Sequence, residues 1–384
     1  MEVKIFWCRF NKYYAQKWAN FLQWKKWILI ASCAVTDQAK RKFIKEVKKN
    51  VKEWKKVYLT WCWAFYKDGE VDEAWFYNTY KDLLPYKENI ILLSQEPSDD
   101  KKVYLNLYTK AFVIVQLGCD SHCTFCITVK KRWKHKNRPL KEVIEEINYL
   151  HKKWINEVVL TWINLAAWWM DSTNVYPNNH FPKFLKEILN NTDIPRIRIS
   201  SIWPEFVCDS WYEVLENNRI LPYFHLSIQS WSDKILKSMG RHYTASKVFQ
   251  IIENLKKLKK DVPVNIGADI IVWFPWETED DFNQTLQLAK HITKLHVFPF
   301  SPHLIWDTVP ASKFPNQIDN NTKELRKKKL IQLCDENYKN LAKSTKWLKV
   351  QVLVETNNTW WTQNYLKAKV SQNAQLWEIV EMIF

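Results

Sequence analysis

Glycine is nearly absent, at 4 of 384 residues. Ordinary usage, near ~7%, would supply about 27 in a chain of this length. Glycine serves where the backbone takes a positive φ or passes close to another segment, so such sites must be filled here by something else. Also missing is any run approaching the roughly 18 apolar residues of a membrane-spanning helix. The opening residues place Lys4 and Arg9 around a very short apolar stretch, which is not the form of a signal peptide. The cytosol is therefore the expected compartment. Acidic residues are the minority, 41 against 57 Lys plus Arg, which leaves a formal charge of +16. That excess points to a polyanionic partner, nucleic acid foremost. Its basic runs are Lys40–Lys42, Lys130–Lys136 and Arg326–Lys329. The plainer alternative is a solvated lysine-rich surface.

What is abundant is tryptophan, with 23 residues, and tryptophan plus glycine sum to 27. That sum equals the ordinary glycine complement of about 27. The contexts agree: Trp273-Phe-Pro-Trp276-Glu277 follows a predicted strand, and Trp231 stands in the turn-like Ser-Trp-Ser-Asp. The expectation is a source that reads UGA as glycine, with these codons rendered as Trp. The alternative, a Trp-rich protein that stacks bases or sugars on indoles, would not gather its aromatic residues in turns.

Residues 1–95 alternate short apolar strands with lysine-rich helices, predicting a small α/β unit with strands at Val3–Phe6, Ile28–Ala31 and Val57–Thr60. Ser94–Lys102 reads as a linker. Residues 104–340 repeat strand, loop and helix, with strands predicted at Phe112–Gln116, Glu157–Trp162, Arg196–Ser201, Tyr223–Ile228, Val264–Trp273 and Leu295–Phe300. Leu140, Val143, Ile144, Ile147 and Leu150 keep the helical spacing of a buried stripe. Thr278-x-x-Asp281 has the form of a helix-start cap. Six alternations predict parallel strands with crossover helices, a partial (β/α)6 barrel whose chemistry lies at the strand C-termini. Asn316–Lys346 is helical in period. Residues 347–384 return to strand alternation at Val350, Val352 and Val354, predicting a small β module.

Eight cysteines in a reducing compartment read first as metal ligands or reactive thiols. Gly118-Cys119-Asp-Ser-His-Cys123-Thr-Phe-Cys126 gives C-x3-C-x2-C after a predicted strand. Three thiolates can bind three irons of a [4Fe–4S] cube and leave the fourth open to the amino and carboxylate groups of S-adenosylmethionine. A zinc site completed by His122 or His135 satisfies the same spacing. Cys8, Cys33 and Cys62 each follow a predicted strand, so a parallel sheet would gather them on one edge, where ligands bind. They form either a second cluster or three unrelated buried thiols. Cys208 and Cys334 have no partners in sequence.

With these residues in view, the chain resembles the tRNA methylthiotransferases over nearly its whole length. Reading Trp as Gly, Trp7-Cys8-Arg-Phe-Asn11, Ser32-Cys33-Ala-Val-Thr36 and Thr60-Trp61-Cys62 are similar to the family's three N-terminal cysteine motifs. So are the barrel segments Arg138-Pro139, Val159-Leu-Thr161-Trp162-Ile-Asn164, Arg198-Ile-Ser200-Ser201, His225-Leu-Ser-Ile-Gln229, Met239-Gly-Arg241-His-Tyr243 and Asp269-Ile-Ile-Val-Trp273. The resemblance implies an N-terminal cluster domain, a radical-SAM barrel and a C-terminal TRAM-like module, here abbreviated. It implies two [4Fe–4S] clusters, one on Cys119, Cys123 and Cys126 and an auxiliary one on Cys8, Cys33 and Cys62. Two molecules of S-adenosylmethionine would serve, one methylating a sulfur carried at the auxiliary cluster and one giving the radical that takes hydrogen from C2 of an adenine.

Phe298-Pro-Phe-Ser301-Pro…Asp307-Thr308-x-Pro310-Ala311 and Val354-Glu355…Thr362-Gln363-Asn364-Tyr365-Leu366 resemble the branch acting on N6-threonylcarbamoyladenosine at tRNA position 37. Sister branches act on isopentenyladenosine in tRNA or on a ribosomal-protein aspartate. A reading from a different class is a zinc-stabilised RNA-binding protein without catalysis. Asn164, Ser200 and Gln229, at strand ends, are candidate cofactor contacts, with plain strand-end hydrogen bonding as the alternative. Lys131, Arg132 and Lys134 are candidate RNA contacts. An electron donor and a sulfur donor are implied partners, and a membrane is not.

Overall fold

The computed structural model describes residues 2–5, 9–22, 28–31, 37–53, 55–60, 71–93, 109–131, 135–161, 180–303, 308–315, 320–356, 359–369 and 374–384. The chain divides into two compact units, one comprising Met1–Leu107, Leu117–Lys136 and Ser301–Ser312, the other Tyr108–Gln116, Asn137–Phe300 and Lys313–Phe384.

In the first unit, Glu2–Ile5, Ile28–Ala31, Val57–Thr60 and Ile90–Leu92 form a four-stranded sheet in chain order, every pair parallel. Parallel neighbours require crossover connections, and helices Arg9–Phe21, Asp37–Lys52 and Glu73–Thr79 lie between successive strands. Two of the three strands expected here fall where the sequence places them, and the first sits one residue earlier. The central strands are buried along their length, and Leu29, Ala31 and Tyr58 pack against Ala15, Trp18 and Ala19 of the first helix.

The second unit holds the barrel strands. Ala111–Ile114, Glu157–Thr161 and Arg196–Ile199 pair in parallel, as do Ser201–Ile202, Tyr223–Gln229, Asn265–Val272 and Lys294–Pro299. Ser200 alone separates the two strips, and Ile197 also bridges Ile220 in parallel. The result is the six-fold partial barrel that the alternation predicts. Helix Leu140–Lys152 buries Val143, Ile147 and Leu150 as its spacing demands. Glu146 shares that stripe and is buried because Arg138 Nη1 meets its carboxylate at 2.6 Å.

Helix Asn320–Thr345 leads into an antiparallel sheet ordered Lys367–Ala368, Thr359–Thr362, Lys349–Thr356 and Ile379–Ile383. Val350, Val352 and Val354 turn one face inward with Trp360 and Ala368, the period-2 pattern of a half-buried strand. No described helix is long and apolar enough to cross a membrane.

In two of the basic runs one member turns inward while Arg41, Lys42, Lys328 and Lys329 stay exposed. Lys40 is 2% exposed and Arg326 is 6% exposed. Arg326 spends its guanidinium on Glu277 at 3.0 Å and Glu279 at 2.7 Å.

Candidate metal centre and barrel interior

The cysteine loop begins at Gly118, whose φ of 70° turns the chain into Cys119 at no steric cost. Cys119 and Cys123 are buried, Cys126 is partly exposed, and none is in a disulfide. The Ser121 N–H donates to Cys119 Sγ and the Thr128 N–H to Cys126 Sγ, each at 3.4 Å. Both sulfurs thus accept backbone hydrogen bonds from within the loop. The Cys126 N–H closes a turn onto the Cys123 carbonyl at 3.1 Å, and Ala311 N–H ties Thr124 O at 2.9 Å.

Among the described residues, ligand atoms of His225, Asp269 and His296 lie within 4.8 Å of one another. One zinc ion draws its ligands together around a single centre, whereas a four-iron cube is held at separate corners. Three thiols in one short loop, none in a disulfide, are a donor set that either metal accepts.

Of the candidate cofactor contacts, Ser200 is buried between two strand strips, its N–H donating to Leu160 O at 3.2 Å. Gln229 ends its strand in the left-handed region, with φ of 71°. Such a conformation costs a non-glycine residue energy, and strained residues of this kind concentrate at functional sites. Asn164 and the auxiliary cysteines Cys8, Cys33 and Cys62 lie outside the described residues, as do Arg132 and Lys134. Lys131 ends the short helix Thr128–Lys131.

Sequence reasoning quoted His225 and Asp269 in motifs without giving them a role, and it missed His296. Tyr223 Oη meets His225 Nδ1 at 3.2 Å, His225 Nε2 meets Asp269 Oδ1 at 2.8 Å, and His296 Nδ1 meets the same oxygen at 3.1 Å. Three neighbouring strands supply this chain. Burial alone would raise the Asp269 carboxyl, but His225 and His296 outweigh it and hold the group well below the usual carboxylate range. Asp269 is thus a fixed anion inside the barrel. The signal in sequence was one polar residue at an otherwise apolar strand position, repeated on adjacent strands.

Near the far end of the Asn265–Val272 strand, Glu277 accepts the Trp273 N–H at 2.8 Å and a bond from Arg326 at 3.0 Å. Burial nevertheless pushes its carboxyl up to about 7. The Arg241 motif braces a neighbouring strand: Arg241 Nη2 donates to Ser227 O at 2.9 Å, and its guanidinium lies 4.0 Å from the Trp203 ring.

A second charged cluster seals the barrel against the C-terminal sheet. Glu157 bonds Arg196 Nε at 2.9 Å and Arg198 Nε at 2.6 Å, all three side chains at most 4% exposed. Arg198 also donates to Gln363 O and Thr362 O, each at 3.1 Å. Tyr365 stacks on Tyr223 at 4.8 Å and lies 4.5 Å from the Arg198 guanidinium. Burial would raise the Glu157 carboxyl, but the two arginines and Lys110 bring it down to about 2.

The strand order, the cysteine loop and the polar barrel interior define a radical-SAM enzyme, and residues 113–289 match the Radical SAM superfamily. The match extends further. The chain is 30% identical to the threonylcarbamoyladenosine tRNA methylthiotransferase MtaB of Rickettsia prowazekii, over 98% of this chain and 93% of that protein. It is 28% identical to the Thermotoga maritima MtaB, over 89% and 82% respectively. It is also 29% identical to the ribosomal protein uS12 methylthiotransferase RimO of Hydrogenobaculum, over 85% and 79%. The chain belongs to the methylthiotransferase family of radical-SAM enzymes, and it is an enzyme. S-adenosylmethionine and [4Fe–4S] clusters are this family's cofactors. That membership removes the non-catalytic zinc reading.

Proposed function

We propose that this enzyme adds a methylthio group to C2 of N6-threonylcarbamoyladenosine at position 37 of tRNA, in the cytoplasm. The similarity to MtaB, which runs from end to end of both chains, carries the reading. The branch-marking tail supports it: Thr362, Gln363 and Tyr365 are the residues that grip Arg198. The functional division is residues 1–95 for the auxiliary cluster, 104–340 for radical generation and 347–384 for the TRAM-like module.

Cys119, Cys123 and Cys126 would hold one [4Fe–4S] cluster, and Cys8, Cys33 and Cys62 the other. The first cluster, when bound, supplies the electron that cleaves S-adenosylmethionine. The protein's part is to aim the Ser121 and Thr128 amides at the Cys119 and Cys126 sulfurs and to present a shaped polar interior. Asn164, Ser200 and Gln229 would contact the cofactor, and Lys131, Arg132 and Lys134 the tRNA backbone. An anticodon loop offers an unstacked base that such a site can receive. A reductant and a sulfur donor complete the set of partners.

Nucleoside mass spectrometry of tRNA from a strain lacking the gene tests the substrate. Loss of 2-methylthio-N6-threonylcarbamoyladenosine is expected, restored by the intact gene and not by Cys126→Ala. Purified without oxygen, Cys126→Ala should lose about half its iron, the share of one cluster in two. The similarity to RimO gives a second reading its footing. Unchanged tRNA together with an unmodified uS12 would move the assignment there.

A further inference from the structure

Five tryptophans hold a backbone conformation that tryptophan does not favour. Trp154, Trp273, Trp276, Trp347 and Trp377 have φ between 66° and 72°. Among the described residues eight non-glycine positions have positive φ, so one residue type supplies most of them. Two of the chain's glycines, Gly118 at 70° and Gly240 at 73°, share the same region. Trp231, expected to behave in the same way, does not fall there.

The local hydrogen bonds show which residue these sites are built for. After helix Asp233–Ser238, the Gly240 N–H donates to Lys237 O at 3.1 Å and the Arg241 N–H to Leu236 O at 2.9 Å. After helix Leu140–Lys152, the Trp154 N–H donates to His151 O at 3.0 Å and the Ile155 N–H to Leu150 O at 3.2 Å. These are the same helix stop, bond for bond, and its left-handed residue is usually glycine. Pro275-Trp276 forms a turn in which the Glu277 N–H reaches Phe274 O at 3.0 Å. Proline second and a positive φ third make it a type II turn, whose third place calls for glycine. Trp377 holds that place in the turn closed by Glu378 N–H to Gln375 O at 3.2 Å.

The indoles return little for the strain. Trp154 and Trp347 are 78% and 75% exposed. Trp273 is buried with its indole Nε1 unbonded. The left-handed region crowds the Cβ of any L-residue against its own backbone, and this strain recurs at all five positions. Of the five, Trp276 alone gains a ring partner among the described residues, stacking on Phe314 at 4.7 Å.

We infer that Trp154, Trp273, Trp276, Trp347 and Trp377 are glycine in the protein its own cell makes, their codon being UGA read as glycine. The inference stands on backbone geometry and composition and is independent of the substrate assignment. The coding DNA and peptide mass spectrometry of protein from the source cells test it together. UGA at all five codons and glycine masses in the peptides are expected, and UGG codons or indole-bearing peptides would overturn it. Full-length protein with Trp154→Gly and Trp347→Gly, at the two exposed rings, should melt a few degrees above the tryptophan form. A variant no more heat-stable than its parent would remove the strain argument.

Discussion

Gly267 marks the tightest point of the barrel interior. A Cβ there would stand 2.5 Å from Tyr223 Oη and 2.7 Å from His225 Nδ1. Those atoms begin the chain that ends on Asp269, so they cannot yield without losing bonds at 3.2 and 2.8 Å. Gly267→Ala should therefore destabilise by about 1–3 kcal/mol, the usual cost of overpacking, read as a lower denaturant midpoint. At this scale the sequence was legible where chemistry is local. Cys119, Cys123 and Cys126 lie within one loop, and their type and spacing narrow the metal to an iron–sulfur cluster or zinc. His296 was not legible, because it acquires meaning only when a parallel sheet sets it beside Asp269.

Elements with local signals were read almost to the residue. The sequence pattern at Thr278 is a full capping box: Asp281 N–H donates to Thr278 Oγ1 at 3.2 Å, and Thr278 N–H to Asp281 Oδ2 at 2.9 Å. Thr278→Ala should cost about 1 kcal/mol, measurable by chemical denaturation, while Thr278→Ser keeps the cap and the stability. Basic runs were read less well. Lys40 and Arg326 look like surface charge in one dimension, yet their helices turn them into buried positions, and only three-dimensional packing reveals that. Helix Leu140–Lys152 shows a milder case. Its apolar stripe was correct, but Glu146 joins it because Arg138 is there to neutralise it.

For the molecule as a whole, the Glu157 cluster sets the response to acid. Its carboxyl has a folded pKa of about 2 against an ordinary 4.5, so it binds its proton less readily when folded. The stability it contributes is complete above 4.5 and drains away as pH falls toward 2, amounting to roughly 3 kcal/mol. Glu157→Gln should lower the melting temperature at pH 7, and the gap to the parent should narrow steadily as the pH of the melt falls below about 4.5. A gap constant with pH would mean that packing and not charge is at work. The tail motif Thr362–Leu366 was legible as a marker of the branch. Its physical task was not, since the bond from Arg198 to Gln363 spans 165 residues of sequence.

That same bond has a consequence for how the chain is made. A ribosome delivers Arg196 and Arg198 long before Gln351, Thr362 and Gln363, whose carbonyls accept from their guanidinium groups. Until those carbonyls emerge, the nascent barrel holds two guanidinium groups beside a single carboxylate, an excess of charge that water must keep solvated. The hydrogen bonds that close this cluster therefore wait on the sheet that follows the barrel.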